Sequence, residues 1–141
     1  MRFIYLFFVK LKTVYYDFFN IKKVALLYIE QDAKILAVSR KNDTTKIGLI
    51  GGKVDKGETF KTAAIRECLE ETGLTAHDLI PIYINTQNGF LCVVFKANCE
   101  GIINTYEKGI VSWVNYDLLK NSIFGEFNTS LENTLIKYKL K

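Results

Sequence analysis

Two apolar, β-branched runs, Lys22 to Ile29 and Lys34 to Ser39, flank the polar tetrapeptide Glu30-Gln31-Asp32-Ala33, a pattern that predicts a hairpin. A polar loop, Arg40 to Lys46, follows, and Gly48 to Gly52 reads as a short strand ending in glycines. Thr59 to Thr72 is predicted to be a helix, stopped by Gly73 just past its last turn. Further strands are expected at Ile80 to Asn85, Leu91 to Lys96 and Ser112 to Val114, the last leading into a helical turn at Tyr116 to Asn121. Thr129 to Lys139 reads as a closing helix with Thr129-x-x-Glu132 as its capping box. Strands on both sides of a central helix, with another helix at the end, predict an α/β domain in which helical layers enclose a mixed β-sheet. No repeat, linker or second domain interrupts residues 21–141.

The first 20 residues stand apart as an aromatic-rich extension, holding eight of the nineteen aromatic side chains. Phe3 to Val9 is apolar, but Lys10 and Lys12 break the run and no small-residue cleavage site follows, which argues against a signal peptide. The run is also far short of the roughly 20 residues that span a bilayer, so no transmembrane segment is expected. Ile4, Phe7/Phe8, Leu11, Val14/Tyr15 and Phe18 recur at helical spacing. An element packed on the domain or on a partner, a second copy included, and a membrane-surface helix both fit this spacing.

Length and composition describe one globular domain: 141 residues, 49% hydrophobic, 24% charged, one proline. The net charge of +4 rests on 16 lysines and 3 arginines spread thinly, which suits an anionic small molecule but gives no strong nucleic-acid signal. Cys68, Cys92 and Cys99 lack the paired spacing of a zinc site, and their odd number points to reduced thiols in a cytoplasm.

The chemistry concentrates between Gly52 and Leu74, GKVDKGETFKTAAIRECLEETGL. Five of the fifteen acidic residues lie between Asp55 and Glu71. On a helix, Glu67, Glu70 and Glu71 fall within an arc of roughly 100°. The opposite arc, with Ile65, Cys68, Leu69 and Thr72, is the one expected to pack on the sheet. Like charges at these spacings repel by about 0.2–0.5 kcal/mol per pair. A divalent cation would reverse that term, and clustered carboxylates suit Mg²⁺, or Mn²⁺ in its place, rather than a soft metal. Gly51 and Gly52 let backbone approach a ligand and expose a carbonyl to the same ion.

This segment resembles the box of the Nudix hydrolase family, G-x5-E-x7-R-E-U-x-E-E-x-G-U, at every position: Gly52, Glu58, Arg66, Glu67, Cys68, Glu70, Glu71, Gly73 and Leu74. Seven fixed residues at about 5–7% each coincide by chance on the order of once in 10⁸ placements. The resemblance implies a Nudix-type α/β/α sandwich with a loop–helix–loop catalytic motif. It further implies Mg²⁺-dependent hydrolysis of a diphosphate bond in a nucleotide-like small molecule. By position, Glu70 and Glu71 are the implied main metal ligands, and Glu67 is a further ligand or the base that activates water. Gly51 or Gly52 would add a carbonyl ligand, and Glu58 with Arg66 forms the pair that orients the glutamates. Ile50 departs from the proline that many members carry there.

Outside the box, Arg40 and Lys53 flank the loop as candidates for phosphate contacts. Glu107 and Glu126 are candidates for the distal acid that many members supply from a later loop. Trp113 reads as a core anchor and His77 as a surface residue. Downstream markers of NADH, ADP-ribose and dinucleoside-polyphosphate enzymes are absent. Phe124-Gly-Glu-Phe-Asn128 resembles the segment where MutT-like triphosphatases place a base-reading Asn, and a carboxamide can pair bidentately with a purine edge. The expected substrate is therefore a nucleoside triphosphate, oxidised ones included, cleaved to monophosphate and pyrophosphate. Nucleotide sugars, diphosphoinositol phosphates and capped RNA are the alternatives within the family. A silent nucleotide- or RNA-binding module is the alternative outside catalysis, disfavoured by the retention of every box glutamate.

Overall fold

The computed structural model describes residues 21–87, 89–104 and 109–140. The aromatic extension at 1–20 and the candidate acid Glu107 lie outside these residues. The elements run β1 (Lys22–Tyr28), β2 (Glu30–Gln31), β3 (Lys34–Arg40), β4 (Asp43–Lys53), α1 (Phe60–Thr72), β5 (Thr75–Gln87), β6 (Phe90–Glu100), β7 (Gly109–Val114), α2 (Tyr116–Lys120) and α3 (Gly125–Lys137). The strands order as β2-β3-β4-β1-β6-β5, with β7 also paired to β3. β1 runs parallel to β6 and antiparallel to β4, so the sheet is mixed.

Strand alternation divides the apolar side chains between two cores. Ala25, Leu27, Leu36, Ile50, Leu91, Val93 and Phe95 face α1. Tyr28, Ile35, Ala37, Leu49, Cys92 and Val94 face α2 and α3. The result is the α/β/α sandwich with a mixed sheet expected from the order of elements. Trp113, expected as a core anchor, is only partly buried and packs against the edge of the first core. Among the described residues, no helix is long and apolar enough to cross a membrane.

The expected hairpin of β1 with β3 does not form. Only the tip closes on itself, Glu30–Gln31 against Lys34–Ile35, with Asp32 and Ala33 at positive φ. β4 lies between β3 and β1. A strand as apolar as β1, covered on both faces, gains most from a neighbour on each edge, and β4 and β6 supply them. The last helix also begins earlier than its pattern suggested, at Gly125. Thr129 is therefore inside it, its hydroxyl donating to the Gly125 carbonyl rather than capping an N-terminus.

α1 is bounded as expected: Thr59 Oγ1 accepts from the Thr62 N–H, and Gly73 closes the helix at φ 78°. Its buried face differs from the prediction. Ile65 is 38% and Leu69 54% exposed, whereas Phe60, Ala63, Ala64, Cys68 and Thr72 are buried together with Glu67 and Glu71. Ala63 and Ala64 are small enough to let the helix lie close on the sheet. The two carboxylates then sit over the glycines of β4, where no side chain obstructs them.

Candidate active site

Arg66 organises the acidic groups. Its Nε and Nη2 donate to the two oxygens of Glu58, at 2.9 and 3.0 Å, in a bidentate pair. Nη2 also donates to the Lys53 carbonyl at 3.0 Å, which ties the helix to the end of β4. Nη1 donates to Glu67 at 3.0 Å and to Glu70 at 3.2 Å. The guanidinium therefore offsets part of the like-charge repulsion along the helix.

Glu58 Oε1 also accepts from the Asp55 N–H at 2.9 Å, closing the loop before the helix. The Arg66 hydrogen bonds, and then that backbone N–H, hold the Glu58 carboxyl below the usual glutamate range. A carboxylate lowered in this way contributes stability that is complete above its unfolded-state pKa. That stability is lost as pH falls through the folded value. The melting temperature should fall on acidification below about pH 4.3, and Glu58→Gln should flatten that limb. An acid limb identical in the two proteins would mean that the pair contributes no pH-dependent stability.

Glu71, 5% exposed, accepts from the Gly51 N–H at 2.9 Å. A Cβ added at Gly52 would stand 2.7 Å from the Glu67 carboxyl carbon, so the glycine leaves that carboxylate against bare backbone. An all-oxygen donor set next to glycine backbone fits a hard divalent cation. Among the described residues, no three acidic, His or Cys side chains converge as a ready ligand cluster. Glu67 and Glu70 are drawn to Arg66, and Glu71 to Gly51, so shared coordination requires these side chains to turn.

A cavity of about 690 Å³ opens beside this motif on the α3 face of the sheet, and Gly51, Gly52 and Glu71 help to line it. Arg40 and Lys53 line it as well, so both candidate phosphate contacts border the same cavity. Lys46 joins them; it lay unremarked in a polar loop because nothing local shows that β4 carries it to the same opening. Phe90, Phe124 and Phe127 line it too, with the carboxamides of Asn85 and Asn128. Phe124, Phe127 and Asn128, already grouped by the segment they share in sequence, stand at i, i+3 and i+4.

Asn128 is 1% exposed. Its Nδ2 donates to the Leu119 carbonyl at 3.1 Å, and its own carbonyl accepts from the Tyr116 hydroxyl at 2.8 Å. Its Oδ1 and second amide hydrogen have no partner among the described residues. Glu126 is exposed in the first turn of α3 and does not line the cavity. His77 is half-exposed on β5 beside Asp78 and does not line the cavity. All three cysteines are free, and burial pushes the Cys68 thiol to about 11 and the Cys92 thiol to about 12.

The sequence model of the NUDIX domain matches residues 21–130. A MutT-like protein of Streptomyces ambofaciens is 33% identical over 98 residues, covering 67% of this chain and 63% of that protein. The ADP-ribose pyrophosphatase of Methanocaldococcus jannaschii is 52% identical over 48 residues, 33% of this chain and 28% of that protein. The chain thus spans less than two thirds of either curated relative. In fold, the MutT mutator protein of Bacillus halodurans is similar with a TM-score of 0.67 at 20% identity, covering 79% of this chain and 80% of that one.

Proposed function

Because this chain belongs to the NUDIX family, its domain matching over residues 21–130, we propose that it is a metal-dependent pyrophosphohydrolase that converts a nucleoside triphosphate and water to the monophosphate and pyrophosphate. The observation that carries this reading is the mixed chemistry of one cavity. Carboxylate, glycine backbone and three cationic side chains line it together with aromatic rings and two carboxamides. A volume of about 690 Å³ lies within the roughly 300–1,000 Å³ usual for small-molecule sites. A polyanion joined to a flat heteroaromatic ring matches both kinds of lining group.

Glu67, Glu70 and Glu71, with a Gly51 or Gly52 carbonyl, would hold Mg²⁺. The ion supplies neutralisation of phosphate charge and polarisation of phosphorus. Arg40, Lys46 and Lys53 would hold the phosphate oxygens remaining outside it. Arg66, anchored by Glu58, fixes the glutamates on the helix. A box glutamate, with Glu67 the candidate, takes the proton of the attacking water, which displaces pyrophosphate in line. Mg²⁺-dependent formation of nucleoside monophosphate across a panel of triphosphates, nucleotide sugars and ADP-ribose tests the reading, with pyrophosphate as the second product only from a triphosphate. Turnover confined to the latter two would overturn the triphosphate assignment.

Asn128 would pair with a purine edge through its uncommitted Oδ1 and N–H. Removing a bidentate contact costs about 1–3 kcal/mol, so Asn128→Ala should lower kcat/KM for a purine triphosphate by roughly 5- to 150-fold. A pyrimidine triphosphate should hardly change. An equal fall for both would make Asn128 a structural residue, joining α2 to α3 through Leu119 and Tyr116.

A further inference from the structure

Asn85 was not singled out by any motif, yet it lines the cavity opposite α3. It lies two residues from Tyr83 on β5 and so shares its face of the sheet. Its Nδ2 donates to the Tyr83 hydroxyl at 3.0 Å, and that hydroxyl shares a 2.7 Å hydrogen bond with Ser130 on α3. The Tyr83 ring meets Phe127 edge-on, with centroids 5.6 Å apart. The strand and the helix are thereby fastened to each other beside the cavity, and the Asn85 carboxamide is held by one of its two N–H groups. Its Oδ1 and remaining N–H have no partner among the described residues. Val24, Leu26 and Cys92 form the adjoining wall and offer no side-chain amide or hydroxyl to satisfy them. Asn85 is half-buried, so these two groups face the open cavity, where water or a ligand can complete their hydrogen bonds.

We infer that Asn85 is a second specificity-determining residue of the nucleotide site, its Oδ1 accepting a hydrogen bond from the exocyclic amino group of a purine. The inference rests on the nucleotide reading above and deepens it. Asn128 addresses the ring from α3, Asn85 from β5, and the phenylalanines cover its faces. Two fixed carboxamides on different elements impose a pattern of donors and acceptors that one alone does not. Tyr83 acts through Asn85 as a positioning residue.

Nucleoside monophosphates test this by equilibrium titration without turnover. Two pairs differ mainly at the amino group: GMP against IMP, and AMP against purine riboside monophosphate. The wild type should bind the amino-bearing member of at least one pair more tightly, by about 3- to 10-fold, the range of one net hydrogen bond. Asn85→Ala should erase that preference while leaving the amino-free member unchanged. Asn85→Asp, which keeps an acceptor, should retain the preference, and Tyr83→Phe should reduce it. Thermal melting of each variant establishes that it is folded. A wild type indifferent to the amino group overturns the inference. So does an Asn85→Ala variant that weakens both members alike, while Asn128→Ala still separates purine from pyrimidine and the nucleotide reading stands. If no nucleotide binds and no triphosphate is hydrolysed, the nucleotide reading fails first and the inference falls with it.

Discussion

Glu71→Gln should lower turnover by about 10²–10³-fold, the usual cost of removing a group that stabilises charge in a transition state, while the domain stays folded. Glu71 is a buried residue of the cavity lining and accepts from the Gly51 N–H at 2.9 Å. Glutamine keeps the oxygen that receives this hydrogen bond, so the anchor to β4 survives. It removes the negative charge, which is the property a metal ligand needs. Glu70→Gln should act in the same direction, with less effect on packing because its side chain is 44% exposed. Millimolar Mg²⁺ should raise the melting temperature of the wild type by mass action, and should raise that of Glu70→Gln/Glu71→Gln less. Activity of either single variant within a few-fold of wild type would sink the ligand assignment. Equal Mg²⁺ shifts in wild type and double variant would place the ion elsewhere.

Gly51→Ala and Gly52→Ala should fail differently, although the residues are adjacent. Gly51 has φ 141°, and a Cβ there would lie 2.1 Å from the Ala25 carbonyl oxygen and 2.8 Å from Leu26 Cα. Both contacts are backbone of β1 within the β1–β4 ladder and cannot rotate away. Backbone strain of about 1–3 kcal/mol adds to about 1–3 kcal/mol for overpacking. The sum is a large share of the roughly 5–15 kcal/mol that holds a domain together. Gly51→Ala should therefore be poorly soluble or melt more than 10 °C lower, by about 2–8 °C per kcal/mol. At Gly52 the obstacle is the Glu67 carboxylate, the free end of a side chain. Gly52→Ala should fold and displace that carboxylate, so activity falls far more than stability. A Gly51→Ala protein melting with the wild type would show that β1 and β4 separate more easily than their pairing implies. A Gly52→Ala protein of full activity would remove Glu67 from the proposed mechanism.

The local chemistry of the motif was legible because it is written in contiguous residues. Thr59 and Gly73 mark the ends of α1, and the spacing of Glu58, Arg66, Glu67, Glu70 and Glu71 names the charged cluster. One turn of helix and one short loop bring these groups together whatever the rest of the chain does. The pairing of Arg66 with Glu58 needed no tertiary contact beyond that loop.

What lay beyond the sequence depends on residues distant in the chain. The apolar Ile65 and Leu69 suggested the packing face of α1, but the sheet accepts the face carrying Ala63, Ala64, Glu67 and Glu71. Small side chains and the β4 glycines allow a closer approach there, and Arg66 and Gly51 satisfy the carboxylates that this buries. β1 and β3 looked like partners because they are neighbours in sequence, yet β4 returns between them. That return carries Lys46 and Gly51 to the cavity, and the parallel pairing of β1 with β6 sets Cys92 beside Val24. Asn85 became visible only when β5 met α3 through Tyr83 and Ser130, a contact across 47 residues. The sequence by itself determined the charged motif, since its period and spacing are local. Only the tertiary structure decided which face of α1 is buried and which carboxamides line the cavity, because burial depends on what the opposite surface can accommodate.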